Sequence, residues 1–447
     1  MTTLARKLRL VDYFTLGWGT MVGVGWLVVM DDWLGRGGPL GGILGFAIGG
    51  ALLLPIGYVY GRLVAGMPDA AGEVAYTAKV FAQPASFATG WMMVLAYFAV
   101  CPWEAVAVGR IASYIFPSLD SIPLYRIAGR PVYLPHLVIG LGLTVLLTLL
   151  NFRGIRLSAT FQNWTTFGTI ALFLAFVGFG VSKGAPQNFP PVFTHGGFVS
   201  VLLVMQIVPY FMTGFESVVK GAEEASPEFQ ARSFLKVIWM AIIVGILFYT
   251  VVIGAVAYVG PWKQLIGENF MTAVVFERAV GSRWIVRVIL AAALLSLLKV
   301  FNGNFVASSR LLFAMGRRGF IDSGFATIHP RTQTPAIAVL CVGVATGACM
   351  FLGDAILVPI TEVASAASAF GWLATCAAFY AMRPPARERW VAVVGVTVGL
   401  LMLLMKIVPA VPGSFSGYEW LALAVWGSIG LGLAWRDRKS MKSVKSV

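Results

Sequence analysis

The feature that most limits how this chain can fold is a succession of apolar stretches, each long enough to cross a membrane, separated by short charged or Pro/Gly-rich breaks. A spanning helix needs roughly 20 consecutive apolar residues, and about twelve stretches meet that length. They lie near residues 11–33, 39–65, 87–116, 132–151, 159–181, 198–221, 234–259, 285–315, 335–352, 356–382, 390–407 and 418–435. Composition agrees, because 58% of the residues are hydrophobic and 12% are charged, against about 25% charged in an ordinary soluble domain. The expected fold class is all-α and membrane-integral.

The Lys and Arg residues set the orientation. Most of the 33 fall in alternate loops that share a side with the amino terminus, and such an excess marks the cytoplasmic side. Both termini are therefore expected in the cytoplasm and the protein in the cell membrane. The net charge of +14 then points to anionic lipid as a partner and not to nucleic acid. The segment LARKLRL (residues 4–10) reads as an orientation signal, and WRDRKSMKSVKSV as a basic cytoplasmic tail from residue 436. No small-residue cleavage site follows the first, so no removable signal peptide is expected.

Two of the apolar stretches carry residues that oppose a helix. In GTMVGVGWLVVM, Gly19, Gly23 and Gly25 stand where Ala or Leu would be more stable. The sixth stretch, PYFMTGFESVVKGAEEA, has Pro209, Thr213 and Gly214 in its middle. Interruptions at corresponding places in two halves are the sequence mark of an inverted-repeat transporter with a midplane site. The repeats would cover about 11–181 and 198–382, with two further helices at about 390–435. An unwound turn frees backbone N–H groups on one side and C=O groups on the other. A zwitterion uses both: the amides of Val24 and Gly25 suit a carboxylate, and freed carbonyls suit an ammonium.

The segments MVGVGW, PDAAGEVAYTAKVF (68–81), NFRGIRLSATFQN, TGFESVVKGAEEASPE and NGNFVASSRLLFAMGRRG follow in order along the chain. With them the chain resembles the amino acid, polyamine and organocation transporter superfamily over nearly its whole length. That resemblance implies a five-plus-five inverted-repeat core followed by two helices. It also implies carboxylate recognition at Val24 and Gly25, amine recognition at Met21, Tyr210 and Thr213, a substrate site that includes Gly23 and Gly214, and gating by Tyr210 and Phe211. Relatives often carry a small hydroxyl residue where this chain has Val24, and an aliphatic one where it has Trp26. A drier pocket, partly filled by an indole, is expected.

Ionisable groups at membrane depth are costly and so serve as functional hypotheses. Glu104, in AYFAVCPWEAVAVGR, is placed on the pocket face, to bind a cationic group or carry a proton, or else to be a structural partner of Arg110. Lys299, in LLSLLKVFNGN, falls near the position where sodium-coupled relatives hold a cation. Its ammonium can exchange a proton or act as a fixed countercharge to Glu104. Thr169 stands where some proton-coupled relatives have a lysine. Asn302 and Asn304 would line the same region. Glu216 is read as a cap for freed amides or a proton carrier, and Arg110 as an anchor reaching headgroups. Trp26 and Trp103 are read as site walls, whereas Trp91, Trp262 and Trp420 fall at span ends as an interfacial belt.

The leading expectation is a secondary transporter for an amino acid or related amine, proton-coupled because a Lys299 ammonium would repel sodium. Exchange, or a sensor on the same fold, are the alternatives. GRGGPLGG reads as an outer loop without the Lys-Ser/Thr of a nucleotide cradle. Three histidines and four cysteines form no metal or catalytic pattern, so no cofactor and no enzyme activity are expected. The loop PSLDSIPLYRIAGRPVY has no cysteine with which to tether a disulfide-linked subunit.

Overall fold

The computed structural model describes residues 6–268 and 270–444. Residues 4 and 5 of the amino-terminal basic segment, and the side chains of the basic tail, lie outside that description. The chain begins with α1 (Leu10–Met21), α2 (Gly25–Val28), α3 (Met30–Ala51), α4 (Leu53–Gly66), α5 (Glu73–Ala78), α6 (Gln83–Phe98) and α7 (Val100–Ile115). A hairpin of β1 (Pro123–Ile127) and β2 (Arg130–Tyr133) leads into α8 (Leu134–Arg153) and α9 (Ile155–Val181). Then come α10 (Gly197–Met205), α11 (Val208–Met212), α12 (Ser217–Lys220), α13 (Ser233–Val259), α14 (Met271–Val280) and α15 (Arg283–Arg317). Helices α16 (Ala336–Met350), α17 (Leu357–Ala381), α18 (Ala386–Ile407) and α19 (Gly417–Val444) complete it. The fold is all-α. Among the described residues, strand structure is confined to the antiparallel hairpin and a bridge between Leu8 and Ala225.

Among the described residues eight helical segments are long and apolar enough to cross a membrane. They answer to the second to fifth, seventh, eighth, tenth and eleventh apolar stretches. The ninth is the shorter apolar helix Ala336–Met350. The first and sixth are missing from the long helices because each is broken in its middle, at residues 22–24 and 213–216.

GRGGPLGG holds the turn between two helical segments of α3: the backbone leaves the helix at Gly38, whose φ of 67° precedes Pro39, and the connection is shorter than a loop of eight residues. The small residues serve contact with α10. A Cβ on Gly37, Gly41 or Gly45 would lie 2.6, 2.9 or 2.6 Å from Val204, Ser200 or Val204, so glycine lets the two helices approach closely, as small residues do between membrane helices.

On the side where the amino terminus enters, charged groups close the structure. Lys220 pairs with Glu73 with both fully buried, and Arg310 reaches Glu224 at 3.1 Å. Arg317 bonds Glu223, and Arg318 bonds Asp69. The amides of Lys7 and Leu8 donate to the Glu224 carbonyl at 2.8 and 2.9 Å, tying the amino-terminal segment across the end of the second broken helix. On the opposite side a cavity of about 850 Å³ opens between α3, α7, α17 and the hairpin.

Candidate functional site

The two breaks touch. Gly214 has φ +135° and an added Cβ would sit 2.7 Å from the Met21 amide nitrogen, so no other residue fits there without moving backbone. The Tyr249 hydroxyl of α13 pins the junction by donating to the carbonyls of Met21 (3.1 Å) and Phe211 (3.0 Å), one from each broken helix.

The carbonyls freed at the end of α1 are taken by side chains of the protein. Asn304 donates to the Thr20 carbonyl at 2.9 Å. Lys299 donates to the Val22 carbonyl, and Ser296 reaches the carbonyls of Val22 and Gly23 at 3.2 and 2.7 Å. The Lys299 ammonium also lies 4.8 Å over the Trp18 ring, a favourable cation–π arrangement. Lys299 therefore sits at the first break on α15, with Asn304 little more than one turn further on. Asn302 faces another way. It joins Asn151, Ser158 and Gln162 at 3.0, 3.1 and 2.9 Å, in a polar network between α8, α9 and α15. Thr169 is buried on α9 and bonds the Thr165 carbonyl of its own helix at 2.8 Å.

Glu104 approaches the same break from α7. Its carboxylate stands beside the Val24 amide and faces the Lys299 charge, while Arg110 lies elsewhere, lining the outer cavity 3.6 Å from Asp354 and over the Phe270 ring. A Cβ on Gly23 would run into Glu104 Oε1; glycine at that position is what lets the carboxylate reach the break. Glu104 Oε2 and the Tyr210 hydroxyl are buried with no hydrogen-bond partner among the described residues.

Aromatic rings fill the remaining space. Tyr210 packs on Phe211 at 5.0 Å and lies 6.5 Å from Trp103. Phe211 packs edge-on against Trp33 at 4.7 Å and covers Gly25. Phe211 also lines the outer cavity. Trp26 does not join this group. It stacks on Phe176 at 5.2 Å and meets Phe248 edge-on, because α2 turns its indole toward α9 and α13.

At the second break, Thr213 bonds the Pro209 carbonyl at 2.6 Å and Ser368 of α17. Glu216 caps the Gly214 amide at 3.1 Å, with Tyr97 and Trp372 beside it. Two of the three span-end tryptophans are not interfacial: Trp91 stacks on Trp426 at 4.4 Å and Trp262 bonds the Phe189 carbonyl at 3.1 Å, both buried, whereas Trp420 is exposed. Local sequence could not distinguish a belt from a buried ring whose N–H has found a carbonyl.

Sequence reasoning missed Tyr249, Ser296 and the pair Glu73–Lys220. Tyr249 and Ser296 are isolated polar residues in otherwise apolar runs, ILFYTVV and ALLSLLK, a signal that was present. Glu73 stands out in the sequence, since the resembled superfamily usually has a second glycine after Gly72 and the change points to the inner gate, but nothing along the chain pairs it with Lys220. Among the described residues no group of three or more His, Cys, Asp or Glu side chains is placed to hold a metal ion.

A family model described as amino acid permease matches residues 8–431. The branched-chain amino acid permease BcaP of Bacillus subtilis strain 168 is 26% identical over 374 residues, 81% of this chain and 77% of the relative. The methylthioribose transporter of the same organism is 26% identical over 443 residues, 96% of this chain and 92% of the relative. The aromatic amino acid transport protein AroP of Escherichia coli strain K12 is 22% identical over 346 residues, covering 75% and 71%.

Proposed function

Because this chain belongs to the amino acid permease family, we propose that it is a secondary active transporter that moves an amino acid or related amine across the cell membrane by alternating access, coupled to protons. The observation that carries the proposal is the meeting of two broken helices at Gly214 and Met21, with ionisable groups gathered on one of them. Backbone at membrane depth stays unwound only where protein or a cavity satisfies it, and such a junction is where transporters of this build bind their cargo.

The cargo site is formed by Met21, Gly23, Val24, Gly25, Trp103, Glu104, Tyr210, Phe211, Thr213, Gly214 and Asn304. The outer cavity leads to Phe211, and the buried ion pairs close the other side. These are the two gates of an alternating cycle, with residues 11–181 and 198–382 as the repeats that move against each other and both termini in the cytoplasm. Lys299 is the coupling residue. A fixed ammonium on the Val22 carbonyl fills the place of a metal cation, and its proton is the exchangeable charge.

The test is uptake by proteoliposomes. A pH gradient should drive accumulation above equilibrium in sodium-free buffer, and Lys299→Met should abolish the response to that gradient. Accumulation that requires sodium would overturn the coupling. Binding without accumulation would overturn transport in favour of a sensor. Thermal stabilisation in a panel of neutral, acidic and basic amino acids, diamines and methylthioribose identifies the cargo, and stabilisation by methylthioribose alone would overturn the amino acid or amine reading.

A further inference from the structure

A zwitterionic amino acid would need two vacant sets of backbone groups at the first break, and much of both is already crowded by the protein. The Glu104 carboxylate stands beside the Val24 amide, so close to the turn that a Cβ on Gly23 would run into Oε1, and the Phe211 ring packs against Gly25. The carbonyls of Thr20, Met21, Val22 and Gly23 are taken by Asn304, Tyr249, Lys299 and Ser296. Glu104 Oε2, Asn304 Oδ1, the Tyr210 hydroxyl and Trp33 Nε1 are buried there without a partner among the described residues. The two carbonyl-type oxygens accept from an N–H donor, and the Tyr210 oxygen can do the same. The rings of Trp103, Tyr210 and Phe211 beside them also favour a cation.

The geometry points to Glu104 as a tethered stand-in for the cargo's carboxylate, so that the cargo is a protonated amine with no carboxylate of its own. This rests on the transporter reading above and narrows its substrate class. The protein supplies the anionic half of the zwitterion from α7, already beside the Val24 amide, and the cargo supplies the ammonium. A free amino acid would bring a second carboxylate to an amide that one already faces, and like charges in one site repel strongly where water is excluded. Gly23 is part of the device, since a side chain there would drive Glu104 off the break. Lys299 balances Glu104 in the empty site while bound to the Val22 carbonyl and the Trp18 face. The other ionisable side chains facing Glu104 are Tyr210, Cys101 and Tyr249, of which Tyr249 is held by the Met21 and Phe211 carbonyls.

The experiment uses matched pairs of compounds that differ only by a carboxylate: isoamylamine and leucine, phenethylamine and phenylalanine, cadaverine and lysine, agmatine and arginine. Affinities are measured by thermal stabilisation of the purified full chain and of its Glu104→Ala and Gly23→Ala variants. The expected result is that wild type binds the amine of at least one pair at least about tenfold more tightly than the amino acid. Glu104→Ala should reverse the order for that pair, because the vacated Val24 amide now receives the cargo's own carboxylate. Gly23→Ala should shift the order in the same direction. A gain of amino acid binding cannot come from a misfolded variant. Preference of the wild type for the amino acid overturns the inference and leaves the transporter reading standing. Undiminished amine binding by Glu104→Ala overturns it as well. If neither class of compound binds any of the three proteins, the transporter reading falls and this inference with it.

Discussion

Two of the buried acid–lysine units in this molecule, beside the Glu362–Lys406 pair, are built differently from each other. At the amino-terminal side Glu73 and Lys220 contact each other directly, with Tyr97 facing the ammonium at 5.8 Å. At the first helix break Glu104 and Lys299 face each other, the acid beside the Val24 amide and the lysine donating to the Val22 carbonyl. The first arrangement is a latch: each partner neutralises the other, and together they join the start of α5 to α12. In the transporter reading proposed above the second is the site, where a cationic cargo meets the carboxylate without having to break a direct ion pair.

The contrast is open to measurement by substitution. Lys220→Met should be the most damaging change, since it strands a buried carboxylate; loss of about 3–5 kcal/mol is expected, read from denaturant or thermal unfolding in detergent. Adding Glu73→Gln should restore most of that loss, and failure to do so would mean the pair is not a latch. Gly214→Ala, at φ +135° against the Met21 backbone, should cost about 1–3 kcal/mol and abolish uptake, tying the site to the contact between breaks. Tyr249→Phe leaves the Met21 and Phe211 carbonyls without their donor and should cost about 1–2 kcal/mol, with a larger effect on cargo affinity than on unfolding. The smallest effect is expected at the outer cavity, where Asp354→Asn loosens the partly exposed Arg110 pair for about 0.2–1 kcal/mol and leaves the order of cargo preference unchanged. A change in that order would move the recognition site out of the helix breaks and into the cavity.

Much of this architecture is legible in the sequence. Apolar length and charge spacing place the membrane helices, and the glycines of MVGVGW and the Pro-Thr-Gly of the sixth stretch locate both breaks. Glu104 and Lys299 stand out because an ionisable residue inside an apolar run is too costly to keep unless it serves a site or a pair. The direction of Trp26 is not legible. A four-residue half helix has no amphipathic period to show which way a side chain turns, and the Phe176 and Phe248 rings decide it. GRGGPLGG is legible only in part: Gly38 makes the turn, whereas Gly37 and Gly41 permit close approach of α3 to α10, and the two kinds of glycine look the same in sequence.

What the sequence by itself determined is the class of structure and the places where helices fail. Both follow from the local chemistry of consecutive residues: hydrocarbon demands long apolar helices, and glycine and proline weaken them wherever they stand. What only the tertiary structure decided is how the broken backbone is satisfied. Glu104, Tyr249, Ser296, Lys299 and Asn304 come from three other helices to the first break, and no spacing along the chain encodes that convergence. Lateral packing of helices brings them there, and with them the answer to whether a cargo meets vacant backbone or a carboxylate already in place.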